Sequence, residues 1–426
     1  MLNHSLVKTL LSLRGNPRAC VYTEPMWGIP FYLYMPFVSV YMAALMVSDR
    51  QIGIIASVLM LFRAISSFFS GAITDKLGRK KTTFIFDAIS WSIPCLIWAF
   101  SQNFWWFIVA AIFNGLSEVT HNSWHCLLIE DADKSKLVDI YAWVHISQLL
   151  AVFFAPLAGL LVEGIGLVTA VRILYLLSFV SMTLKFIILN KYCDETKIGK
   201  QRKAETQGMS MSEMISGYGA VARKLFGSPQ MVLALSIVAF VVVTSLVANT
   251  FFGLYATRFI LATDQSHYLA YFPIIRAVII LLFFFIIQPK ISRFGPKGPL
   301  LAGVCLYIGA YLLLITLSAG DLHLLALCIF LESCAQGLVL PRRDSIQALF
   351  IDPRERARLN SVLMMVVFII MIPFGWLSGW MSDIDGRLPF LMIIFILTAK
   401  FVVVLASKSL KTSNVRAMEV IASDSN

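Results

Sequence analysis

Apolar runs long enough to cross a membrane recur along the whole chain, and short polar segments separate them. An α-helix needs about 20 mostly apolar residues to cross the hydrocarbon core of a bilayer. Twelve runs of the 426-residue sequence come close to that length or exceed it. The predicted spans are residues 19–45, 52–71, 82–100, 104–129, 138–162, 168–190, 230–260, 268–289, 299–318, 322–341, 359–381 and 388–407. This pattern predicts an all-α polytopic membrane protein with twelve transmembrane helices.

One long polar segment, residues 191–229, divides the predicted spans into two groups of six. It is rich in Lys, Arg, Gln and Ser, which is typical of a cytosolic linker. We expect residues 1–190 to form an N-terminal six-helix bundle and residues 230–408 a C-terminal six-helix bundle. Residues 409–426 would then be a cytosolic tail. The second half of the linker, residues 209–226, could form an amphipathic helix on the membrane surface.

Composition and charge support a membrane location. Hydrophobic residues make up 58% of the chain and charged residues 14%, whereas a soluble domain carries about 25% charged residues. Of the 35 Lys and Arg residues, 27 fall on the side of the predicted topology that holds both termini, three fall at the opposite ends and five lie within spans. This bias predicts that both termini are cytosolic and that the chain lies in the cell (plasma or inner) membrane. Because the net charge of +11 is spread between apolar runs, we expect no nucleic-acid partner.

The two halves of the chain resemble each other. The segments 122–137 and 344–359 lie at the end of the fourth span and just after the tenth, at an offset of 222. They are identical at four positions and keep the charge sign at four more. Two six-helix bundles with the same topology imply a pseudo-two-fold axis along the membrane normal. Repeats of this kind place a binding site near the midplane, between the halves.

The loop between the second and third spans resembles a known signature. It reads Gly-Ala-Ile-Thr-Asp-Lys-Leu-Gly-Arg-Lys-Lys from residue 71 to residue 81, and it is similar to the signature loop of the major facilitator superfamily of secondary transporters. A weaker copy lies at 292–297. The resemblance covers nearly the whole chain and implies transport by alternating access. The implied gating residues are Gly71, Asp75, Lys76, Gly78, Arg79 and Lys80.

Asp75 is the one acid in this otherwise basic loop. In the superfamily this aspartate lies near the cytosolic start of helix 11 when the cytosolic side is closed. The resemblance therefore implies that Asp75 is a latch that stabilises the outward-open state. The alternative is that Asp75 pairs locally with Arg79 or caps a local turn.

A fainter resemblance concerns the fifth span. Pro156 and Gly159 match part of the Gly-Pro-x-x-Gly-Gly motif of the superfamily's drug–proton antiporters, but Ala155 and Leu160 stand where that motif has glycine. Pro373 in the eleventh span is its expected structural counterpart. This likeness is compatible with an antiporter; the alternative is an ordinary Pro–Gly kink, which is common in membrane helices.

Polar residues inside the spans are candidates for the transport site, because an ionisable group in the bilayer is costly and usually faces a cavity or a partner. In the fourth span a polar stripe covers about 100° of the helix, and in the tenth a similar stripe follows at the repeat offset. The superfamily resemblance implies that both stripes line one central cavity. The predicted cavity residues are Glu24, Asn114, Glu118, His121, Asn122, Asn249, Arg276, Glu332 and Gln336.

Several of these assignments have alternatives. Glu24 is as compatible with a gate salt bridge as with proton or substrate binding. Arg276, like Arg63, either binds an anionic group or neutralises a nearby acid. Lys185 and Lys400 can reach the membrane interface by their long side chains and need no functional role. We expect Asp87 to join the charges of the signature loop.

The sequence contains no nucleotide-binding loop, zinc-protease motif or nucleophile elbow, so neither an enzyme nor a bound cofactor or metal is predicted. The pattern favours a monomeric secondary active transporter that moves a small organic solute, with protons as the second partner and Glu118, Glu24 or Glu332 as proton carrier. Efflux by antiport is the leading interpretation. Nutrient symport and a transporter-like sensor or scaffold without transport are the alternatives, and the sequence does not name the solute.

Overall fold

A computed structural model describes residues 5–133, 136–216, 219, 223, 226–227, 229–262, 265–291, 297–350 and 356–407. These described residues form helices joined by short turns. In the first half of the chain the α-helices are α1 Ser5–Ser12, α2 Gly15–Tyr34, α3 Val38–Ala44, α4 Asp49–Leu77, α5 Arg79–Asp87, α6 Ile93–Phe100, α7 Phe104–Asn114, α8 Ser117–Ile129, α9 Leu137–Val152, α10 Ala155–Ile165 and α11 Leu167–Tyr192.

The linker and the second half continue the same pattern. Their α-helices are α12 Lys197–Glu205, α13 Met211–Ile215, α14 Pro229–Tyr255, α15 Phe272–Leu282, α16 Gln288–Ile291, α17 Lys297–Thr316, α18 Leu322–Phe350, α19 Arg356–Ile384 and α20 Leu388–Ala406. Short 3₁₀ or π-helical turns extend or join them at Met35–Phe37, Ala88–Ser92, Ala256–Ile260, Ser266–Ala270 and Phe283–Ile287.

Ten helical segments of the described chain are long and apolar enough to cross a membrane. This confirms an all-helical protein with many membrane spans. Two predicted spans, 19–45 and 104–129, are not among the ten. The first contains Glu24 and two internal prolines, and the second is broken into α7 and α8, each shorter than a full span.

The break in the fourth predicted span lies at Gly115. A Cβ atom there would collide with Phe62 and come within 3.2 Å of the Leu59 carbonyl oxygen of α4. The hydroxyl of Ser66 donates a hydrogen bond to the Gly115 carbonyl at 2.7 Å, which satisfies a backbone group left free by the break. As a result α8 begins in the middle of the span.

The same close packing recurs at the repeat offset. Gly337 lies 222 residues after Gly115, and a Cβ atom there would come within 2.6 Å of the Phe283 ring. Both glycines therefore allow a helix to pack tightly against an earlier helix of its own half, two predicted spans before it.

The first and second halves meet where α4 packs on α19. A Cβ atom at Gly53 would lie 2.5 Å from the Gly375 carbonyl oxygen and 2.7 Å from the Gly379 Cα atom. Small residues spaced four apart let membrane helices approach to backbone contact. The Ser57 hydroxyl donates to the Ile372 carbonyl oxygen at 2.6 Å across the same interface.

A buried carboxylate fixes the ends of the helices at this interface. Asp49, at the start of α4, accepts hydrogen bonds at 2.6 and 2.7 Å from the two terminal nitrogens of Arg258. It also accepts one at 2.6 Å from the Ser382 hydroxyl of α19. Asp49 is 2% exposed. We call this end of the molecule, opposite the signature loop, the Asp49 end.

Some sequence expectations fall outside the described residues. These are the second copy of the signature loop at residues 292–296, residues 351–355 of the repeat, the tail after residue 407 and parts of the predicted surface helix at 209–226. Within the described part of that segment, Met211–Ile215 forms a short helix.

Candidate substrate cavity

A cavity of about 300 Å³ lies among the helices of the first half. It is polar on one side and aromatic on the other. Glu118 and His121, two of the predicted site residues on α8, line it together with Glu24 of α2. The remaining lining residues are Trp27, Phe31, Arg63, Asp87, Trp91, Ser117, Thr120, Trp124, Gln148 and Lys185.

Glu24 forms a buried ion pair across this cavity. Its carboxylate lies 2.8 Å from the Lys185 ammonium of α11, and the two side chains are 5% and 6% exposed. The ammonium also lies 5.9 Å from the ring centroid of Trp27 and 5.5 Å from that of Trp124, where the ring faces attract a cation. The expectation that Lys185 reaches the membrane interface is therefore wrong, because its charge is neutralised inside the protein.

Asp87 lies on the wall of the same cavity. Its carboxylate accepts a hydrogen bond at 2.6 Å from the Thr120 hydroxyl of α8, and the residue is 6% exposed. The sequence placed Asp87 among the charges of the signature loop. The structure instead places it at the cavity that Glu24 also lines.

Four polar groups on the cavity wall have no partner among the described residues. The Arg63 Nε, the Ser117 Oγ and the Trp124 Nε1 atoms are buried and make no hydrogen bond. Glu118, next to Ser117 in the first turn of α8, forms no ion pair within the described part of the chain. Buried donors that lack an acceptor are costly, so this wall is suited to a ligand.

His121 is exposed and follows Glu118 by about one helical turn. Its ring centroid lies 5.8 Å from that of His125. The His125 Nδ1 atom lies 3.3 Å from the Tyr141 hydroxyl. This row of protonatable side chains leads along α8 from Glu118 toward the signature-loop end.

A second cavity, of about 250 Å³, adjoins the first and shares Phe31, Arg63 and Trp91 with it. Its wall is mostly apolar and aromatic. Two predicted site residues lie on this wall, Asn114 of α7 and Asn249 of α14. The Asn114 amide donates to the Ser90 carbonyl oxygen at 2.8 Å. The other lining residues are Tyr34, Met35, Val38, Ser39, Met42, Ile52, Ile55, Ala56, Leu59, Trp98, Phe107, Ala111, Leu246 and Thr250.

The predicted residues of the second half form a separate cluster. Arg276 of α15 pairs with Glu332 of α18 at 2.7 Å, and the Tyr311 hydroxyl donates to the same carboxylate at 3.1 Å. Arg276 also lies 5.1 Å from the ring centroid of Phe252. Gln336, half-buried, follows Glu332 by about one turn. None of these residues lines either of the two cavities described above.

Asn122 is likewise engaged elsewhere. Its amide donates to the Thr74 hydroxyl of α4 at 3.2 Å, so it joins two helices. The structure thus brings Glu24, Glu118 and His121 to one cavity, and Asn114 and Asn249 to the adjoining one.

The signature loop forms a charged network at the opposite end from Asp49. Arg79 pairs with Asp75 at 2.9 Å and with Glu130, at the end of α8, at 3.1 Å. Asp75 is also 3.4 Å from Arg202 of the linker helix α12. Gly71 lies within α4, and the Lys76 ammonium donates to the Met209 carbonyl oxygen of the linker at 3.1 Å.

Glu195, just before α12, caps the start of α5. Its carboxylate accepts from the backbone N–H groups of Arg79 at 2.9 Å and Lys80 at 3.2 Å, where the helix dipole favours an anion. Gly78 has φ of +89°, and a Cβ atom there would collide with the Glu195 carboxylate. The glycine of the signature thus admits both the left-handed turn and its linker contact.

Similarity to known proteins agrees with this architecture. The sequence profile described as Major Facilitator Superfamily matches residues 27–371. The Multidrug resistance protein MdtG of Rahnella sp. (strain Y9602) is 34% identical over 94 residues, 21% of this chain and 23% of that protein. MdtG of Escherichia coli O9:H4 (strain HS) is 25% identical over 324 residues, 74% of this chain and 75% of that protein. The first of these matches thus spans under a quarter of the relative's length.

Solved transporter structures share the fold. The crystal structure of the nucleoside transporter NupG has a TM-score of 0.68 at 16% identity and covers 93% of this chain and 99% of its own. That of a mutant of the peptide transporter POT has a TM-score of 0.71 at 12% identity, with coverages of 97% and 99%. The profile match covers most of the chain and shows that the protein, which has many membrane spans, belongs to the Major Facilitator Superfamily.

Proposed function

We propose that this protein is a proton-driven exporter of small organic solutes. The observation that carries the proposal is Glu118, an acid without an ion-pair partner among the described residues, on the wall of a cavity within the membrane-spanning helices. The relatives named as multidrug resistance proteins support export, as does the Pro156–Gly159 likeness to the antiporter motif.

The proposed architecture is twelve transmembrane helices in two six-helix bundles. Ten segments qualify by length and composition. The helix pairs α2 with α3 and α7 with α8 would supply the remaining two spans. The shared packing of Gly115 and Gly337 supports the pseudo-symmetry of the halves.

The structure has one closed end, and this indicates which state of an alternating-access cycle it represents. The contacts of Gly53, Ser57 and Asp49 with the second half close the Asp49 end. At the other end, Asp75 and Arg79 contact Glu130 and the linker. With both termini in the cytosol, as the charge bias predicts, this arrangement is a state closed to the outside. Transport requires the α4–α19 contact to open and the signature-loop end to close.

Glu118 is the proposed proton carrier because the other acids of the cavity wall and of the second-half cluster are already engaged. Glu24 pairs with Lys185, Glu332 with Arg276, and Asp87 accepts a hydrogen bond from Thr120. An unpaired carboxylate can exchange a proton for the cationic group of a solute, so that the two compete for one site. Such competition drives antiport, and His121 gives the proton a route along α8.

Everted membrane vesicles test this proposal. With the lumen acidified by respiration, an antiport substrate added outside carries protons out and raises the fluorescence of a quenched acridine dye. We expect dequenching by members of a panel of organic cations, zwitterions and anions, and its loss in Glu118→Gln. Glu163→Gln changes an exposed in-span acid away from the cavity and should respond like the wild type.

The outcome also separates the alternatives. A nutrient symporter would give no dequenching in everted vesicles but would acidify the interior of right-side-out vesicles when substrate is added. A sensor without transport would give neither response. Either result would overturn the exporter proposal.

A further inference from the structure

The wall of the first cavity holds two charges of opposite sign that form no ion pair among the described residues. Arg63 of α4 and Glu118 of α8 both line it, yet no ion pair joins them. We propose that the transported solute is a zwitterion with an apolar body. Its acidic group binds Arg63, the Ser117 hydroxyl and the start of α8, its cationic group binds Glu118, and its body lies in the adjoining apolar cavity. This inference rests on the proposed function and names its substrate class.

Arg63 is the strongest argument for an acidic group. A guanidinium does not lose its proton in proteins, and a charge within a span costs several kcal/mol unless it is compensated. Arg63 makes no hydrogen bond with any described residue through its buried Nε atom. Its guanidinium lies over the Phe368 ring of the second half, 6.0 Å from the ring centroid, and a ring face compensates a cation only in part.

The start of α8 is a second, independent argument. The helix begins in mid-span, after the break at Gly115, and Leu116 at its N-cap gives no side-chain hydrogen bond. The first N–H groups of a helix lack intrahelical partners and favour an anion. Half-helix starts of this kind point at anionic substrate groups in other transporters.

The hydroxyl of Ser117 stands at that helix start. Ser117 is 5% exposed and its oxygen has no hydrogen-bond partner in the described part of the chain. Five buried side-chain nitrogen or oxygen atoms among the described residues have no hydrogen-bond partner. Three of them, Ser117 Oγ, Arg63 Nε and Trp124 Nε1, belong to residues of this wall. Three unmatched groups that can donate indicate a ligand rich in acceptors.

Glu118 requires the opposite charge on the same ligand. The remaining charged residues of the wall do not supply it, because Glu24 and Lys185 neutralise each other and Asp87 accepts from Thr120. The rings of Trp27 and Trp91 lie 5.1 Å apart in an edge-on arrangement on the same wall and suit an organic cation. A solute with a single charge would leave either Arg63 or Glu118 unmatched.

The two cavities share Phe31, Arg63 and Trp91. A molecule whose charged groups lie in the first cavity can therefore extend its apolar part into the second. Because the cationic group occupies the proton site on Glu118, binding and protonation exclude each other. The substrate class is thus consistent with antiport.

Matched ligand series test the inference on purified protein in detergent, where no gradient is needed. Each series contains a zwitterion, its amide or ester (cation only) and its N-acetyl derivative (anion only). One series is built on tryptophan and one on ciprofloxacin, and affinity is measured by thermal shift and by competition with the radiolabelled zwitterion. We expect the zwitterion of at least one series to bind at least tenfold more tightly than both derivatives.

Variants assign the two ends. Arg63→Gln should weaken zwitterion binding at least tenfold while changing the affinity of the amide or ester less than twofold, and Arg63→Lys should retain part of the preference. Ser117→Ala should shift the ratio in the same direction by a smaller factor, which keeps the test decisive if Arg63→Gln folds poorly. Arg50→Gln, at an exposed arginine of the Asp49 end, is the matched control and should leave all affinities unchanged.

Three results would overturn the inference. In the first, the cation-only members bind as tightly as their zwitterions in both series. In the second, Arg63→Gln lowers the affinity of all three members equally, as loss of a structural arginine would. In the third, no member binds. Since binding is measured without a proton gradient, these results are independent of the vesicle assay. A zwitterion that binds but causes no dequenching would refute the exporter proposal alone.

Discussion

The contact between α4 and α19 makes a sharp prediction, because its closest approach involves glycine. A Cβ atom at Gly53 would lie 2.5 Å from the Gly375 carbonyl oxygen and 2.7 Å from the Gly379 Cα atom. Ordinary contacts of a carbon atom need about 3.5 Å. In Gly53→Ala the two backbones must therefore separate by about 1 Å, and backbone atoms cannot rotate away as a side chain can.

Overpacking of this size costs about 1–3 kcal/mol. The cost applies only while α4 and α19 are in contact, so it favours the state that is open at the Asp49 end by about 5- to 150-fold. Alanine also stabilises a helix by about 1 kcal/mol relative to glycine. That gain is present in both states and cancels from the ratio between them.

Spin labels report the change directly. Cysteines at Asn103 and Ala319, both exposed near the Asp49 end and on different halves, would be labelled in a background without the native cysteines. Double electron–electron resonance measures the distribution of distances between the two labels. In Gly53→Ala the population at longer distances should increase. Gly309→Ala makes the same change in a helix where a Cβ atom meets nothing within 4 Å, and it should match the parent. An unchanged distribution in folded Gly53→Ala protein would refute the closure of the Asp49 end by this contact.

The remaining predictions concern orientation, the latch and the buried pair. In intact cells a cysteine at Ala319 should react with an impermeant thiol reagent and one at Lys203 should not, and labelling at Lys203 would reverse the orientation. Asp75→Asn should lower transport several-fold without loss of expression and should shift spin-label distances across the signature-loop end toward the open state; an unshifted distribution would rule out the latch. Glu24→Gln or Lys185→Met alone leaves a buried charge unmatched and should destabilise the protein by about 3–5 kcal/mol. Thermal unfolding should show that the double variant recovers most of this loss, and a double variant no more stable than the single ones would contradict the pair.

Local patterns carried much of what the sequence predicted correctly. Helices and the loop signature depend on neighbouring residues, so the membrane spans and the superfamily could be predicted from runs and motifs. The polar face of the fourth span was also visible, because Glu118 and His121 lie about one turn apart on one helix, and both line the first cavity.

Partners far apart in sequence could not be predicted in this way. Glu24 and Lys185 are 161 residues apart, and Asp49 is 209 residues from Arg258 and 333 from Ser382. An acid in the first turn of a helix is ordinary, so Asp49 gave no signal of its role. The break at Gly115 depends on the Phe62 side chain of another helix, which no single-helix pattern contains.

The central claim is that Glu118 couples solute export to protons, and one pair of measurements on reconstituted protein tests it most directly. Proteoliposomes containing the wild type or Glu118→Gln would be loaded with a solute that responds in the vesicle screen. Exchange of labelled for unlabelled solute would be measured at equal pH, and accumulation would be measured under an imposed pH gradient. We expect Glu118→Gln to retain some exchange but to lose accumulation, because the site still alternates and binds the solute through its other contacts but no longer carries a proton. Accumulation driven by the pH gradient at the wild-type level in Glu118→Gln would contradict the claim.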